Sequence, residues 1–146
     1  MIRRYANKDK KELLGILKLN IPKYFDESEV NDFIEYLDKE VEDYFVIEEN
    51  GVIIACGGIN YFLDDASARI SWDIVHPEFQ RKGIGKKLLL YRIEQIKKKK
   101  NINLIIVRTS QLAYKFYQKA GFQMEKIEKG FWAEGFDLYL MRLEVE

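Results

Sequence analysis

Hydrophobic positions along this chain recur with two periods, and the period changes wherever glycine, proline or paired polar residues interrupt it. The short run Ile2 to Tyr5 reads as a strand. Asn7 then stands where a cap belongs, before a helix that carries Leu13, Leu14, Leu17 and Ile21 on one side until Pro22 stops it. Val30, Phe33, Ile34, Leu37 and Val41 recur at helical steps, with Ser28 ahead of them as the cap. Tyr44 to Glu48 is β-branched and aromatic, Asn50-Gly51 has the chemistry of a tight hairpin turn, and Val52 to Leu63 reads as the returning strand. After Asp64-Asp65, Ala66 to Val75 alternates. Ile70, Trp72 and Ile74 fall on one face, expected to meet a helix, and Arg69, Ser71 and Asp73 fall on the other.

Beyond two closely spaced glycines, Ile84, Leu88, Leu89, Ile93 and Ile96 form the inward stripe of a helix, and Leu104 to Val107 is continuously apolar. Strand, helix and strand in that order imply a parallel pair. The next helix presents Ala113, Phe116, Tyr117 and Ala120 on one face and ends at Gly121. Gln123 to Glu128 and Leu138 to Glu144 read as two closing strands around a loop from Lys129 to Asp137. The predicted order is β-α-α-β-β-β-α-β-α-β-β, a mixed-sheet α/β fold in a single domain spanning residues 1–146.

Composition narrows the partners. A chain of 146 residues with 47% hydrophobic content sustains one core. Lysine and arginine number 24 against 24 aspartates and glutamates, so no overall basic field attracts nucleic acid or an anionic membrane, and an anion site must be local. No apolar run approaches a membrane span, the N-terminus is charged rather than signal-like, and the lone Cys56 leaves no internal disulfide. A cytoplasmic protein is expected. Cys56 has no neighbouring histidine partner and reads as a buried strand thiol, while His76, fixed before Pro77, reads as structural. Clustered His/Cys spacing is absent, so no metal is expected. The lysines from Lys97 to Lys100 suit the C-terminal end of a helix dipole.

The chemistry concentrates in Gln80-Arg81-Lys82-Gly83-Ile84-Gly85, between the alternating strand and the helix after it. Two glycines let a ligand approach the backbone. Their N–H groups join a helix N-terminus, and Arg81, Lys82 and Lys86 add charge, so a phosphate-bearing ligand is predicted. A Walker A loop is ruled out by the spacing and by the missing hydroxyl residue after lysine. A dinucleotide fingerprint is ruled out because Leu88 stands where its third glycine belongs. The run does match Q/R-x-x-G-x-G/A, the coenzyme A pyrophosphate loop of the GCN5-related N-acetyltransferase (GNAT) family. Val75-His76-Pro77 resembles the strand end that precedes that loop. Downstream, Ala113-Tyr114-Lys115-Phe116-Tyr117-Gln118-Lys119-Ala120-Gly121-Phe122 is similar to the family's A-x-x-F-Y-x-K-x-G-F signature. The chain is identified as a member of that family over essentially its whole length.

This resemblance implies an N-acetyltransferase that moves an acetyl group from acetyl-coenzyme A to a primary amine by direct attack. It assigns Gln80, Arg81, Lys82, Gly83, Ile84, Gly85 and Lys86 to the pyrophosphate. The main chain of Ile74 and Val75 is assigned to the pantetheine amides, with a backbone N–H there polarising the thioester carbonyl. Tyr117 becomes the general acid for the departing thiolate, although helical spacing alone equally makes it a core aromatic. Ser110 stands where many relatives have asparagine, and fits either a pantetheine contact or a helix cap. Asp73 is a candidate base or an exposed strand aspartate, and Glu27 and Glu134 lie in segments that the family uses around the acceptor. Tyr24, Phe25, Phe131 and Trp132 are expected to frame an acceptor pocket, with Asp26, Glu27, Glu134 and Asp137 holding a cationic amine. Alternatively, Phe131 and Trp132 cover the core or a dimer interface, since family members often dimerise. A small-molecule amine fits best. A protein or peptide acceptor, or a non-catalytic acetyl-coenzyme A sensor, are the alternatives.

Overall fold

The computed structural model describes residues 1–145. Its strands are β1 (Ile2–Arg4), β2 (Asp43–Glu49), β3 (Val52–Phe62), β4 (Ser67–Val75), β5 (Leu104–Thr109), β6 (Gln123–Ala133) and β7 (Phe136–Glu144). The helices are α1 (Lys10–Leu19), α2 (Glu29–Glu35), continued by a wider turn over Tyr36–Glu40, α3 (Ile84–Lys97) and α4 (Tyr114–Lys119). One seven-stranded sheet carries the order β1-β2-β3-β4-β5-β7-β6, and among the described residues only β4 and β5 run parallel. This is the expected mixed α/β fold.

Each face of the sheet buries its own core. Leu88, Leu89, Ile93 and Ile96 of α3 pack on Ile70, Ile105 and Val107. On the opposite face Leu13 and Leu17 of α1, Phe33 of α2 and Leu37 meet Val46, Ile53 and Ile74. Burying such side chains contributes about 1.5–3 kcal/mol each, enough to fix which face of every strand points where.

The alternation read for β4 is interrupted. Cys56 lies opposite Ile74 and Gly58 opposite Ser71, so two steps along β3 face three along β4, and Trp72 takes a positive φ of 49°. The extra residue is a β-bulge. It inverts the strand's phase: Ile70 joins the α3 face, whereas Trp72 and Ile74 join the α1/α2 face, so the three do not share one side.

Three local expectations are also corrected. Asn7 opens a short 3-10 turn, and Asp9 does the capping, accepting from the Ala6 N–H at 2.8 Å while Arg3 grips both its oxygens. Asp26, not Ser28, caps α2: its carboxylate accepts from the Ser28 N–H at 2.9 Å, and Glu29 reaches back to the Asp26 N–H at 2.9 Å, a reciprocal box. The segment Lys129 to Asp137 is mostly strand, because β6 runs on to Ala133 and β7 starts at Phe136. An edge strand exposed along most of its length carries no alternation to read.

Candidate active site

The pairing of β4 with β5 begins at Ser67 and Leu104 and stops at Ile70 and Val107. Beyond that point β4 stays with β3 and β5 with β7, so the two parallel strands splay. A cavity of about 720 Å³ occupies the splay and reaches through the sheet. Tyr24, Phe25 and Trp72 line it from the α1/α2 side, and the turn before α3 and the face of α4 line it from the other. This is the size range of small-ligand sites.

The turn has a backbone geometry that suits an anion. Arg81 and Gly83 both adopt left-handed φ values, 62° and 80°, which converge successive N–H groups. Gly83 is the N-cap of α3 and offers no side chain, so the first-turn N–H groups of the helix stay open to a ligand. A Cβ on Gly85 would sit 3.3 Å from the Phe116 ring, so glycine there lets α4 close over the turn. Arg81, Gly83, Gly85 and Lys86 line the cavity. Lys82 and Ile84 do not: Lys82 lies over the Phe79 ring and Ile84 packs on the core.

The main chain of β4 divides its hydrogen bonds by parity. The His76 N–H donates to Ile54 O at 2.8 Å and Ile74 faces Cys56, so Val75, not Ile74, turns its backbone groups into the splay. Val75 O accepts from Asn20 Nδ2 at 3.1 Å and from Gln80 Nε2 at 3.0 Å, and Gln80 Nε2 also donates to Asn20 Oδ1 at 2.8 Å. Gln80 is thereby a strut of the wall. Asn20, buried at the end of α1, is a member that the sequence reading missed.

The centre of the cavity holds a buried polar network. Tyr117 Oη donates to Asp73 Oδ2 at 2.5 Å. Arg92 Nη1 lies 2.5 Å from Asp73 Oδ1, an ion-pair contact off the line of a hydrogen bond, and donates to Gly58 O at 3.1 Å. Arg92 is fully buried and its side chain also bonds Leu88 O. A Cβ on Gly57 would collide with the Asp73 carboxylate, so glycine in β3 makes room for the pair. Asp73 is therefore no exposed strand residue. Burial, then the Asp73 charge and hydrogen bond, raise the Tyr117 hydroxyl well above its usual range, so it remains a donor at neutral pH. Burial opposes the Arg92 charge, but Asp73 more than offsets this and holds it on. Arg92 was legible in principle, as a charge lying between Leu88 and Ile96 within the apolar stripe.

Glu29 is a second missed member. It lines the cavity beside Tyr24, Phe25 and Trp72, and burial pushes its carboxyl up to about 7. Burial likewise pushes the Cys56 thiol up to about 12, which leaves it inert as a nucleophile. Ser110 lines the cavity and its Oγ accepts from the Leu112 N–H at 3.2 Å, tightening the turn ahead of α4 rather than capping the helix itself.

The expected acidic rim does not form. Glu27 and Glu134 are exposed and outside the cavity lining, Asp26 is used as a cap, and Asp137 accepts from the Gly130 N–H at 2.9 Å. Trp132 does reach the wall, held by its indole N–H donating to Thr109 O at 3.1 Å, whereas Phe131 remains 42% exposed. Among the described residues no three acidic, histidine or cysteine side chains cluster as a metal site, and no helix is long and apolar enough to cross a membrane.

Comparison with known proteins matches this architecture. The family model of the acetyltransferase (GNAT) domain matches residues 40–124. The amino-acid acetyltransferase of Pasteurella multocida is 32% identical over 93 residues, which are 64% of this chain and 21% of that protein. The chain thus spans about a fifth of that relative's length. The ribosomal-protein-S18-alanine N-acetyltransferase of Escherichia coli superimposes with a TM-score of 0.82 at 18% identity, covering 100% of this chain and 94% of that one. An aminoglycoside 6'-N-acetyltransferase complexed with coenzyme A gives 0.77 at 14% identity, covering 99% and 96%.

Proposed function

The chain belongs to the GNAT acetyltransferase family, and from that premise we propose that it acetylates a primary amine of a small molecule, with acetyl-coenzyme A as donor and direct attack as the route. The observation that carries this reading is the continuity of one cavity from the N-terminal turn of α3, through the β4/β5 splay, to Tyr117. The uncapped N–H groups after Gly83, with Arg81 and Lys86, suit a pyrophosphate. The Val75 N–H in the splay suits a pantetheine carbonyl or the thioester oxygen. Acetyl-coenzyme A supplies the acyl group.

Glu29, poised near neutrality in the cavity wall, takes the proton that an ammonium must shed before its nitrogen attacks. The C–N bond forms as the C–S bond breaks. Tyr117 turns its hydroxyl proton from Asp73 toward the departing sulfur and recovers the proton released by the acylated nitrogen. Asp73 sits against Tyr117 on one oxygen and Arg92 on the other, so its role is to hold the hydroxyl rather than to act as a free base. A small acceptor suits a cavity of about 720 Å³, and the Pasteurella multocida relative is named for acting on amino acids.

The test is thiol release from acetyl-coenzyme A across a panel of amines. Acceptor-dependent release is expected with a small amine. Tyr117→Phe is expected to lower kcat by about 10²–10⁴-fold while leaving the KM for acetyl-coenzyme A near its original value. Thermal stabilisation by acetyl-coenzyme A without thiol release for any amine indicates a sensor. Absence of binding refutes the proposal outright.

A further inference from the structure

Behind the apex of the splay, on the face opposite α3, a second cavity of about 240 Å³ adjoins the first, and Ile70, Trp72, Arg108 and Trp132 line both. Strand parity dictates which side chains enter it. Ile70 and Val107, the last paired residues of β4 and β5, point into the α3 core. Arg69, one residue before Ile70, and Arg108, one after Val107, therefore project together from the other face and flank the point where the strands separate.

Neither guanidinium has a carboxylate partner among the described ion pairs, nor does either side chain donate a described hydrogen bond, although Asp32 and Glu40 stand on the same cavity. Among the described residues the buried Arg69 Nε–H has no acceptor. Aromatic rings hold the two planes instead. Arg69 lies 4.6 Å from the centroid of the Phe62 ring, and Arg108 lies 5.2 Å from that of Phe131 and 5.3 Å from that of Trp132. Ring faces restrain a guanidinium but satisfy none of its N–H groups, which point outward in its plane. Burial, then the neighbouring Arg108 charge, depress the Arg69 pKa, and the Glu40 charge on the same cavity offsets this only in part. Two partly buried like charges with an unpartnered donor, in a protein of zero net charge, call for an anion between them.

Resting on the acetyltransferase reading above, we propose that Arg69 and Arg108 form a carboxylate clamp, and that the acetyl acceptor is accordingly a small amino acid-like molecule bearing both an amine and a carboxylate. The planar fork of arginine matches a carboxylate in bidentate fashion, which a lysine pair would not. With its carboxylate in the second cavity, the acceptor presents its amine through the shared opening at Trp72 and Trp132 toward the splay. This reverses the charge preference expected of the acceptor from the sequence: the group recognised is an anion.

Two measurements test the clamp. In the first, amino acids are compared with their own carboxamides as acceptors. The acids are expected to have at least about tenfold higher kcat/KM, and Arg69→Gln and Arg108→Gln each to bring the ratio close to one. In the second, the arginine Nε–H resonances of the wild-type protein are followed as an N-acetylated amino acid or its carboxamide is added. The Arg69 and Arg108 signals should move with the acid and not with the amide. Equal use of acids and amides, or unmoved arginine signals, overturns the clamp while leaving amine acetylation standing. Movement of both signals with the acid, in a protein that releases thiol with no amine, upholds the clamp and removes the transferase reading.

Discussion

Arg92 is the residue on which the centre of the site depends, and Arg92→Met tests this directly. Methionine fills much of the same volume without a charge, so the variant isolates the ion pair from the cavity that a smaller residue would leave. Arg92 is fully buried and Asp73 only 17% exposed, so the substitution strands a carboxylate in a poorly solvated place beside Tyr117. Breaking a buried pair in this way costs about 3–5 kcal/mol. For a domain of this size that lowers the melting temperature by about 6 to 20 °C. Arg92→Met combined with Asp73→Asn removes both charges and should recover at least half of the loss. The assay is thermal unfolding by circular dichroism at pH 8 for wild type, both single variants and the double variant. A melting point for Arg92→Met within about 2 °C of wild type at pH 8, or additive losses in the double variant, would show that the pair is not coupled as described.

Glu29→Gln probes the other buried acid. Wild-type Glu29 has a folded value of about 7 against an ordinary value of 4.5, so it withdraws stability as pH rises across that window, up to about 3 kcal/mol. Urea denaturation at pH 5 and pH 8 should show the variant gaining on wild type at the higher pH, and its kcat/KM profile should lose the limb near pH 7. A retained limb refutes the role of Glu29 as base. Gly83→Ala forces an L-residue to a φ of 80° with nothing within 4 Å of the new Cβ, so its cost is backbone strain alone, about 1–2 kcal/mol. Coenzyme A affinity by calorimetry should fall about tenfold, whereas Gly51→Ala, at a φ of 79° in the remote β2–β3 turn, should lose similar stability and keep its affinity.

What could be read locally was read from short spans. The stripe from Ile84 to Ile96, the Asn50-Gly51 turn and the glycine pair before α3 each report a backbone choice made by residues within one or two turns of each other. Errors arose where that locality failed. The alternation of Ile70, Trp72 and Ile74 assumed an unbroken ladder, but the bulge at Trp72 depends on how β3 aligns against β4. Ser28 and Asn7 are reasonable caps in isolation and lost to acids held by a reaching partner, Glu29 for Asp26 and Arg3 for Asp9. The acidic residues near the acceptor failed for a similar reason. Exposed carboxylates in a sequence carry no record of which of them a helix cap or a hairpin will use.

The sequence by itself therefore determined the order of elements, the parallel step and the glycine turn before α3, because each follows from periodicity, glycine conformation or helix polarity over a short stretch. The tertiary structure alone decided the chemistry around that turn. Tyr117 meets Asp73 from 44 residues away, Gln80 meets Asn20 from 60, and Arg69 finds Arg108 only because two parallel strands diverge beside them both. Such meetings are set by sheet register and strand splay, and register is a property of pairs of strands that neither strand specifies alone.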